Sequence, residues 1–416
     1  MRILLIHQYF LEKEDAGGSR WNEMVRFWAE KGNSITVIAG MVHYATGKKT
    51  ERYKNKWTYL DKDFYPNVNV IRAHVSQAYN KNFLGRLWAY FSFVVSGLWA
   101  GLFKCKGKYD IILATSPPLF VGVIAFVLSK VKRVPFVFEV RDLWPESAID
   151  TGILTNKFLI KFAYCFEHFI YKNAVLINTL TPAFQEKLIN EKSVNKEKVI
   201  MIPNAADFSL SDKLLDSFNS IEFRKSHNID DKFVITYVGA HGVANHLIQL
   251  IEVAEKLQDT NVLFLLIGSG MSKNFLMEEA SNKNLKNVKF IDPVPKKEVF
   301  KYILGSDVCT SVLKKCETFK TIYSNKTFDY MACKKPILLI IDGVSRQLIE
   351  EAKCGIYAEP ENVADIEGKI REIIAMSPEK LKTLGENGYN FAKKYFDRSL
   401  LAEKYIYELY NVQKNY

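Results

Sequence analysis

The feature that most constrains this chain is a repeated order of segments: a short apolar run, a glycine-bearing turn, an amphipathic helix, then another apolar run. The first run is Ile3-Leu4-Leu5-Ile6. A polar loop containing Gly17-Gly18-Ser19-Arg20 follows, then a helix carrying Trp21, Met24, Val25, Phe27 and Trp28 that stops at Lys31-Gly32, then Ser34–Ala39. Runs that are apolar without alternation read as strands covered on both faces, the pattern of parallel sheets. Parallel neighbours need a long crossover, usually a helix, and glycine just past the last helical turn is a common stop.

The pattern continues with strands predicted at Val68–Ala73, Ile111–Ala114, Pro135–Val140, Ala174–Asn178 and Val199–Ile202, and helices at Leu119–Leu128, Asn156–Tyr171 and Pro182–Ile189. Residues 207–231 are polar and read as a linker or cap. The order then restarts with strands at Phe233–Val238, Val262–Ile267, Val288–Ile291, Val308–Val312 and Pro336–Ile341. Helices are predicted from about Ala244 to Leu257, after Pro295 to Leu304, around Gln347–Ala352 and through the tail. The expected fold class is α/β: two Rossmann-like, doubly wound domains, 1–206 and 207–391, facing a central cleft, with a C-terminal helix at about 392–416 packing back on the first. Such sheets bind ligands at the carboxyl ends of their strands.

Composition narrows the function classes. At 416 residues, 48% hydrophobic and 25% charged, with 21 Gly and 12 Pro, the chain is neither disordered nor collagen-like. The net charge of +11 reads either as favouring anionic partners, such as a nucleotide, a nucleic acid or anionic lipid, or as solubility in a lysine-rich proteome. Six cysteines without a C-x-x-C pair lie in or beside apolar segments, as buried free thiols in a reducing compartment do. The first apolar run is too short for the core of a signal peptide, so a cytoplasmic chain is expected.

Five local signals could carry chemistry. Gly17-Gly18, Gly239-x-x-Gly242 and Gly268-x-Gly270 are turns where backbone N–H groups could approach an anion, although strand-to-helix turns also need glycine for geometry alone. In Ser324–Ala332, Lys326 could meet a phosphate and Asp329 a ribose, or the two could form a helix-surface ion pair. Glu139-Val140-Arg141-Asp142-Leu143-Trp144-Pro145-Glu146-Ser147 follows a buried strand and is dense in charge for a connecting loop, which makes it either a site or a salt-bridged loop. Asp61-Lys62-Asp63 matches a D-x-D metal motif superficially and reads as a solvated loop. The seven histidines show no metal spacing, so no metal and no cofactor are expected. Finally, Leu87–Phe103 has 17 residues without a charge and would span about 25 Å as a helix, short of a hydrocarbon core. It is either a core helix or one lying partly in a membrane interface, which Trp88, Tyr90, Trp99 and the flanking Lys104, Lys106 and Lys108 favour.

In these motifs the chain resembles the family 4 glycosyltransferases of the GT-B fold, and looks closest to their WbuB-like subgroup of bacterial O-antigen and capsule enzymes. The marks are Ile3–Phe10 with Gly17-Gly18-x-Arg20, Ser116-Pro117-Pro118, Glu139–Ala148, Pro203-Asn204-x-x-Asp207, the glycine turns of the second half, and Asn325–Pro336. The resemblance implies a retaining, metal-independent transfer from a UDP-sugar, with an N-acetylated hexosamine or 6-deoxy-hexosamine expected. The implied acceptor is an undecaprenyl-diphosphate-linked saccharide, reached by peripheral association with the inner, anionic face of the cell membrane. Nucleic acid is not among the implied partners. A UDP-sugar epimerase of the same fold and a non-catalytic sugar-nucleotide-binding protein are the alternatives.

The donor residues so implied are Gly17, Gly18, Gly239, His241, Gly242, Gly268, Val294, Thr321, Lys326 and Asp329. The family's E-x7-E pattern falls on Thr321 and Asp329, so the first carboxylate is replaced. His241 and Asn245 stand where the family has basic residues, which makes Lys326 the main cation for the diphosphate. Arg20, Glu139, Arg141 and Trp144 are expected on the acceptor side. Asp142 is the candidate for orienting the acceptor hydroxyl or stabilising an oxocarbenium-like centre, so Asp142 and Lys326 are the catalytic candidates.

Overall fold

The computed structural model describes residues 1–13, 20–43, 47–80, 83–150 and 152–416, which fall into two compact units. One gathers the described residues up to Pro203 together with Leu401–Tyr416; the other holds Asn204–Leu400.

The strands of the first unit are β1 (Arg2–Ile6), β2 (Ser34–Gly40), β3 (Thr58–Tyr65), β4 (Val68–Ala73), β5 (Ile111–Thr115), β6 (Phe136–Val140), β7 (Leu176–Thr179) and β8 (Val199–Met201). They form one sheet in the order β3-β4-β2-β1-β5-β6-β7-β8. Among the described strands of this sheet, only the β3–β4 pair is antiparallel; Leu4 of β1 lies between Thr36 of β2 and Ile112 of β5. Its helices are α1 (Arg20–Glu30), α2 (Phe83–Phe103), α3 (Val121–Lys132), α4 (Glu146–Asp150), α5 (Lys157–Asn173) and α6 (Pro182–Glu186). Asn156 caps α5 by accepting from the N–H groups of Phe158 and Leu159. Thr181 caps α6, which opens on Pro182, a residue whose missing N–H costs nothing there.

The second unit has β9 (Phe233–Val238), β10 (Val262–Ile267), β11 (Val288–Ile291), β12 (Val308–Val312), β13 (Ile337–Ile340) and β14 (Gly355–Tyr357) in a parallel sheet ordered β11-β10-β9-β12-β13-β14. Its helices are α7 (Phe208–Leu215), α8 (Ser220–Ser226), α9 (Ile248–Lys256), α10 (Lys273–Asn282), α11 (Lys296–Leu304), α12 (Asn325–Ala332), α13 (Val344–Ala352), α14 (Val363–Ile374) and α15 (Pro378–Tyr395). One sheet face is covered by a core including Phe300, Phe328, Met331 and Phe396, the other by one including Leu250, Ile251, Leu276 and Ile370. The last helix, α16 (Arg398–Asn415), belongs to the first unit from Leu401 on. There Trp28 donates its indole N–H to the Ala402 carbonyl, and Tyr405 packs on Trp21 and Trp28.

Three expectations need correcting. Residues 207–231 are not a bare linker: α7 and α8 lie there, Asn219 caps α8, and Phe208 and Leu214 are buried. Asp61-Lys62-Asp63 is not a loop but part of β3, an edge strand with a register shift between Asp61 and Tyr65. An edge strand pairs on one side only, so it tolerates the polar sequence that disguised it; Asp61 itself pairs with Arg52. The cysteines divide: Cys105, Cys309, Cys333 and Cys354 are buried, Cys316 is half-buried and Cys165 is exposed on α5.

Candidate functional site

In the second unit the turns after β9 and β10 press against each other. A Cβ on Gly268 would lie 1.9 Å from the Gly239 carbonyl oxygen, and one on Gly270 2.4 Å from that of His241. Gly239 and Gly268 sit at φ of 142° and 143°, a region that side chains avoid. The amides expected to face an anion are engaged within the unit: Gly239 N–H donates to Ile267, His241 to Ser269 and Gly268 to Ile291, each at 2.9 Å. Sheet and turn geometry therefore accounts for these three positions. Gly242 has open space on its Cα face, with the Asn245 Oδ1 nearest at 3.5 Å. Gly17 and Gly18 lie outside the described residues.

Lys326 reaches toward the same turn from the first turn of α12. A Cβ on Gly239 would lie 3.1 Å from Lys326 Cε, so a side chain there would crowd the lysine. Lys326 Nζ stands 4.6 Å from the centre of the Tyr237 ring and 3.4 Å from its hydroxyl. No carboxylate pairs with Lys326 among the described residues. Desolvation alone lowers its pKa to about 8, because removing an ammonium from water disfavours the charged form. His241 is fully buried beside this group. Burial, then the nearby Lys273 and Lys326 charges, hold its pKa down to about 4 against a weak pull from the Ile267 carbonyl, so the imidazole is neutral near pH 7.

Asp329 follows Lys326 by three residues on α12, yet the two do not pair. Burial raises the Asp329 pKa, while Lys296 and Arg398 restrain it. Lys296 also forms an ion pair with Asp207; burial would raise the Asp207 pKa, but Lys296 outweighs it and holds the carboxyl near 2. Thr321 donates its hydroxyl to the Thr318 carbonyl at 2.7 Å, an arrangement that cannot reproduce a carboxylate. Val294 is half-buried in the loop joining β11 to α11. The Ser324 hydroxyl meets Ser311 and makes no capping bond to the first turn of α12.

In the first unit the charged segment after β6 divides by burial. Glu139, fully buried, binds Arg20 at 3.1 Å and also accepts from Asn178 and Thr115. Arg20 spends its remaining N–H groups on the carbonyls of Ile202 and Pro203. Arg20 and Glu139 are both engaged within the unit, where they tie α1, β6 and the end of β8 together. Beyond the strand end the residues emerge. Arg141 is half-buried and, with Arg72, adds to the burial that pushes the His7 pKa well down. Asp142 accepts from the Ser147 hydroxyl at 3.0 Å. Burial first, then the Glu146 charge, raises its pKa to about 6 despite the stabilising hydrogen bonds. Trp144 is half-buried against Phe120, ring centres 6.1 Å apart.

Each unit thus carries one chemically poised group at its strand ends. In the second it is a partly buried ammonium without a carboxylate, at a helix start with no side-chain cap, which suits an anion. In the first it is a carboxyl that changes charge near pH 6. Sequence reasoning missed Tyr237, on which Lys326 rests, and Lys273, which donates to the Gly268 carbonyl and Asp292. The position of Lys273, three residues after Gly270, was an available signal; nothing local marked Tyr237.

Two family models match the chain: a glycosyl transferase 4-like domain over residues 17–205 and a glycosyl transferases group 1 domain over 219–391. WcaI of Escherichia coli (strain K12), assigned by its name to colanic acid biosynthesis, is 23% identical over 417 residues, covering 99% of each chain. Among solved structures, sucrose-phosphate synthase of Thermosynechococcus elongatus is similar with a TM-score of 0.75 at 16% identity, covering 99% of this chain and 98% of that one. HepE of Anabaena, in complex with UDP, is similar with a TM-score of 0.71 at 16% identity, covering 99% and 100%.

Proposed function

This chain belongs to the family 4 glycosyltransferases of the GT-B fold, and from that premise we propose that it transfers a sugar from a UDP-sugar to a lipid-linked saccharide in surface polysaccharide synthesis. The observation that carries the donor half is Lys326, an ammonium without a carboxylate partner among the described residues, held between the Gly239 turn and the Tyr237 ring at the start of α12. A departing UDP gains negative charge in the transition state. A cation and uncapped helix amides fixed in advance stabilise that charge without reorganising, which supports metal-independent transfer. Asp329 in the same helix is the candidate ribose acceptor, and the Val294 loop the candidate for reading the uracil. His241, being neutral, adds no competing charge.

Asp142 carries the acceptor half. A carboxyl with a pKa near 6 can be ionised at working pH and still exchange a proton with a hydroxyl. We assign it to orienting the acceptor hydroxyl or stabilising an oxocarbenium-like centre, with retention and no protein nucleophile. The polysaccharide setting draws on the name of WcaI. The expected donor is an N-acetylated hexosamine or its 6-deoxy relative, and the expected acceptor an undecaprenyl-diphosphate saccharide at the inner face of the membrane.

The test is UDP release from a panel of UDP-HexNAc donors, with and without a lipid-diphosphate saccharide, and the anomeric configuration of the product by NMR. Acceptor-dependent release with retained configuration is expected. A donor sugar altered without any acceptor indicates an epimerase. Donor binding with no release on any acceptor indicates a binding protein. Either result overturns the reading.

A further inference from the structure

Helices α2, α3 and α5 lie side by side on one face of the first sheet, since α3 packs on both its neighbours. The α2–α3 contact is close because α2 turns glycines toward it. A Cβ on Gly97 would lie 2.7 Å from Ile124 Cδ1, and one on Gly101 2.3 Å from Leu128 Cδ1. The buried stripe of α2 is Ala89, Phe93, Ser96 and Ala100. Its opposite stripe is as apolar and faces outward: Trp88 is 62% exposed, and Phe91, Val95 and Phe103 are exposed with it. This helix is therefore both a core helix and a surface one. No described helix is long and apolar enough to cross a membrane.

The second half of this surface comes from α5, which the sequence marked only as amphipathic. Phe158 is 85% and Phe162 61% exposed, with Leu159 and Phe169 also exposed. Residues 158, 162, 166 and 169 recur at helical spacing along one stripe. Phe120 joins the two helices, its ring centre 5.1 Å from Phe91 and 5.2 Å from Phe166, and Phe166 stacks on Phe162. Phe120 also contacts Trp144, two residues beyond Asp142. Beneath the exposed rings, the buried Phe120 thus links the aromatic cluster to the loop proposed to meet the acceptor. Contiguous exposed apolar patches mark interaction sites.

The charge on these helices selects the partner. α2 and α3 contain no Asp or Glu, and α5 contains only Glu167, which is buried and bound by Lys192. Around the patch stand Lys104, Lys106, Lys108, Lys130, Lys157, Lys161 and Lys172, all exposed. Lys104 lies over the Trp99 ring and Lys130 over Phe126, stems on aromatic faces and ammonium groups at the edge. Exposed aromatics ringed by lysines, almost free of acids, fit the interface of an anionic bilayer.

We propose that α2 and α5 together form a platform that docks on an anionic lipid bilayer, with Phe158 and Phe162 of α5 inserting as deeply as the aromatic stripe of α2. This deepens the reading of a membrane-borne acceptor and rests on it only for its biological setting. The test is sedimentation of the full chain with phosphatidylglycerol–phosphatidylcholine vesicles and with phosphatidylcholine alone. Binding is expected to the anionic vesicles and to weaken as salt screens the lysines. Phe158→Ser with Phe162→Ser should lower partitioning at least about tenfold, since each buried phenylalanine contributes more than one decade at full insertion. Trp88→Ser with Phe91→Ser should do the same. All four side chains are exposed, so folding should survive, and unchanged thermal stabilisation by UDP verifies it in each variant.

Wild-type indifference to anionic vesicles at low salt overturns the proposal. So does an α5 variant that binds as tightly as wild type. A patch that instead holds two copies together appears in sedimentation velocity as a dimer, dissolved by the same substitutions while vesicle binding persists, and also overturns it. Vesicle binding without UDP stabilisation of the wild-type chain refutes the donor reading and leaves the platform standing.

Discussion

Replacing Lys326 by methionine removes the charge and keeps most of the side-chain length, and it should move stability and donor affinity in opposite directions. In the free protein the ammonium carries a desolvation cost with no carboxylate to offset it. Lowering the pKa from 10.5 to about 8 corresponds to roughly 3 kcal/mol as an upper bound, reduced because part of the side chain still meets water. The sign follows from the direction of the shift. The folded state holds this proton less tightly than the unfolded one, so the cost is complete below about pH 8 and fades as pH rises toward 10.5. At pH 7 the Lys326→Met protein without ligand should therefore melt at a higher temperature than wild type. Its affinity for UDP should fall by roughly 1.5–3 kcal/mol, the usual worth of a hydrogen bond to a charged group, which is about one to two decades in Kd. Calorimetric titration with UDP and thermal melts on the same samples read both effects. A diphosphate should also raise the lysine pKa, so wild-type binding near pH 8.5 should take up protons, seen as buffer-dependent heats that the variant lacks. Unchanged UDP affinity in a folded variant refutes the assignment, and a variant less stable without ligand refutes the desolvation argument.

Other outcomes follow from the same geometry. Arg20→Ala leaves Glu139 charged and buried, and should lower unfolding stability by about 3–5 kcal/mol; denaturant titration measures this, and a change below about 1 kcal/mol refutes the buried-pair description. Asp142→Asn should abolish the acid limb of the kcat/KM profile near pH 6, because the ionised carboxylate is the working form above that value; an unaltered limb moves the role elsewhere. Transfer should persist in EDTA, and loss of activity restored by a divalent cation would show that a metal was wrongly discounted.

The central strands β9, β10 and β12 were legible because they are buried on both faces. These three and the edge strand β11, which has no buried residue, begin and end at the expected residues, and glycine with φ of 84° at position 32 follows α1 as expected. The edge strand β3 and the junction helices α7 and α8 were not legible. β3 carries three consecutive charged residues at its centre because one flank meets solvent, α7 buries only Phe208, Ser211 and Leu214, and α8 has no buried residue. At the candidate site, sequence marked these loops but could not apportion their residues. Glu139 and Asp142 are three residues apart, yet one is wholly buried in an ion pair and the other titrates near pH 6. The glycine turns were similarly ambiguous. Only coordinates show that the amides of Gly239, His241 and Gly268 are already spent on carbonyls of neighbouring strands and turns.

That last point changes how a diphosphate could be held. If the glycine amides are occupied, the anion must draw on fewer groups: Lys326, the uncapped start of α12 and the open face at Gly242. The ion pair of Lys296 with Asp207 cannot substitute, because its ammonium already holds a carboxylate near pKa 2. Lys273 is likewise engaged by Asp292 and two carbonyls. Among these lysines of the second unit, Lys326 alone has no carboxylate partner among the described residues, and the turn against which it packs has glycine at 239 with φ of 142°. Enlarging Gly239 to alanine should therefore mimic loss of the lysine: the added Cβ would meet Lys326 Cε at 3.1 Å and sit at a positive φ. The lysine would have to move while remaining charged. UDP affinity should fall in Gly239→Ala without the gain in ligand-free stability expected of Lys326→Met. Combining the two changes should cost less affinity than the sum of each alone, since both act on one ammonium. Strict additivity in that double-mutant cycle would show that the glycine contacts the donor by itself.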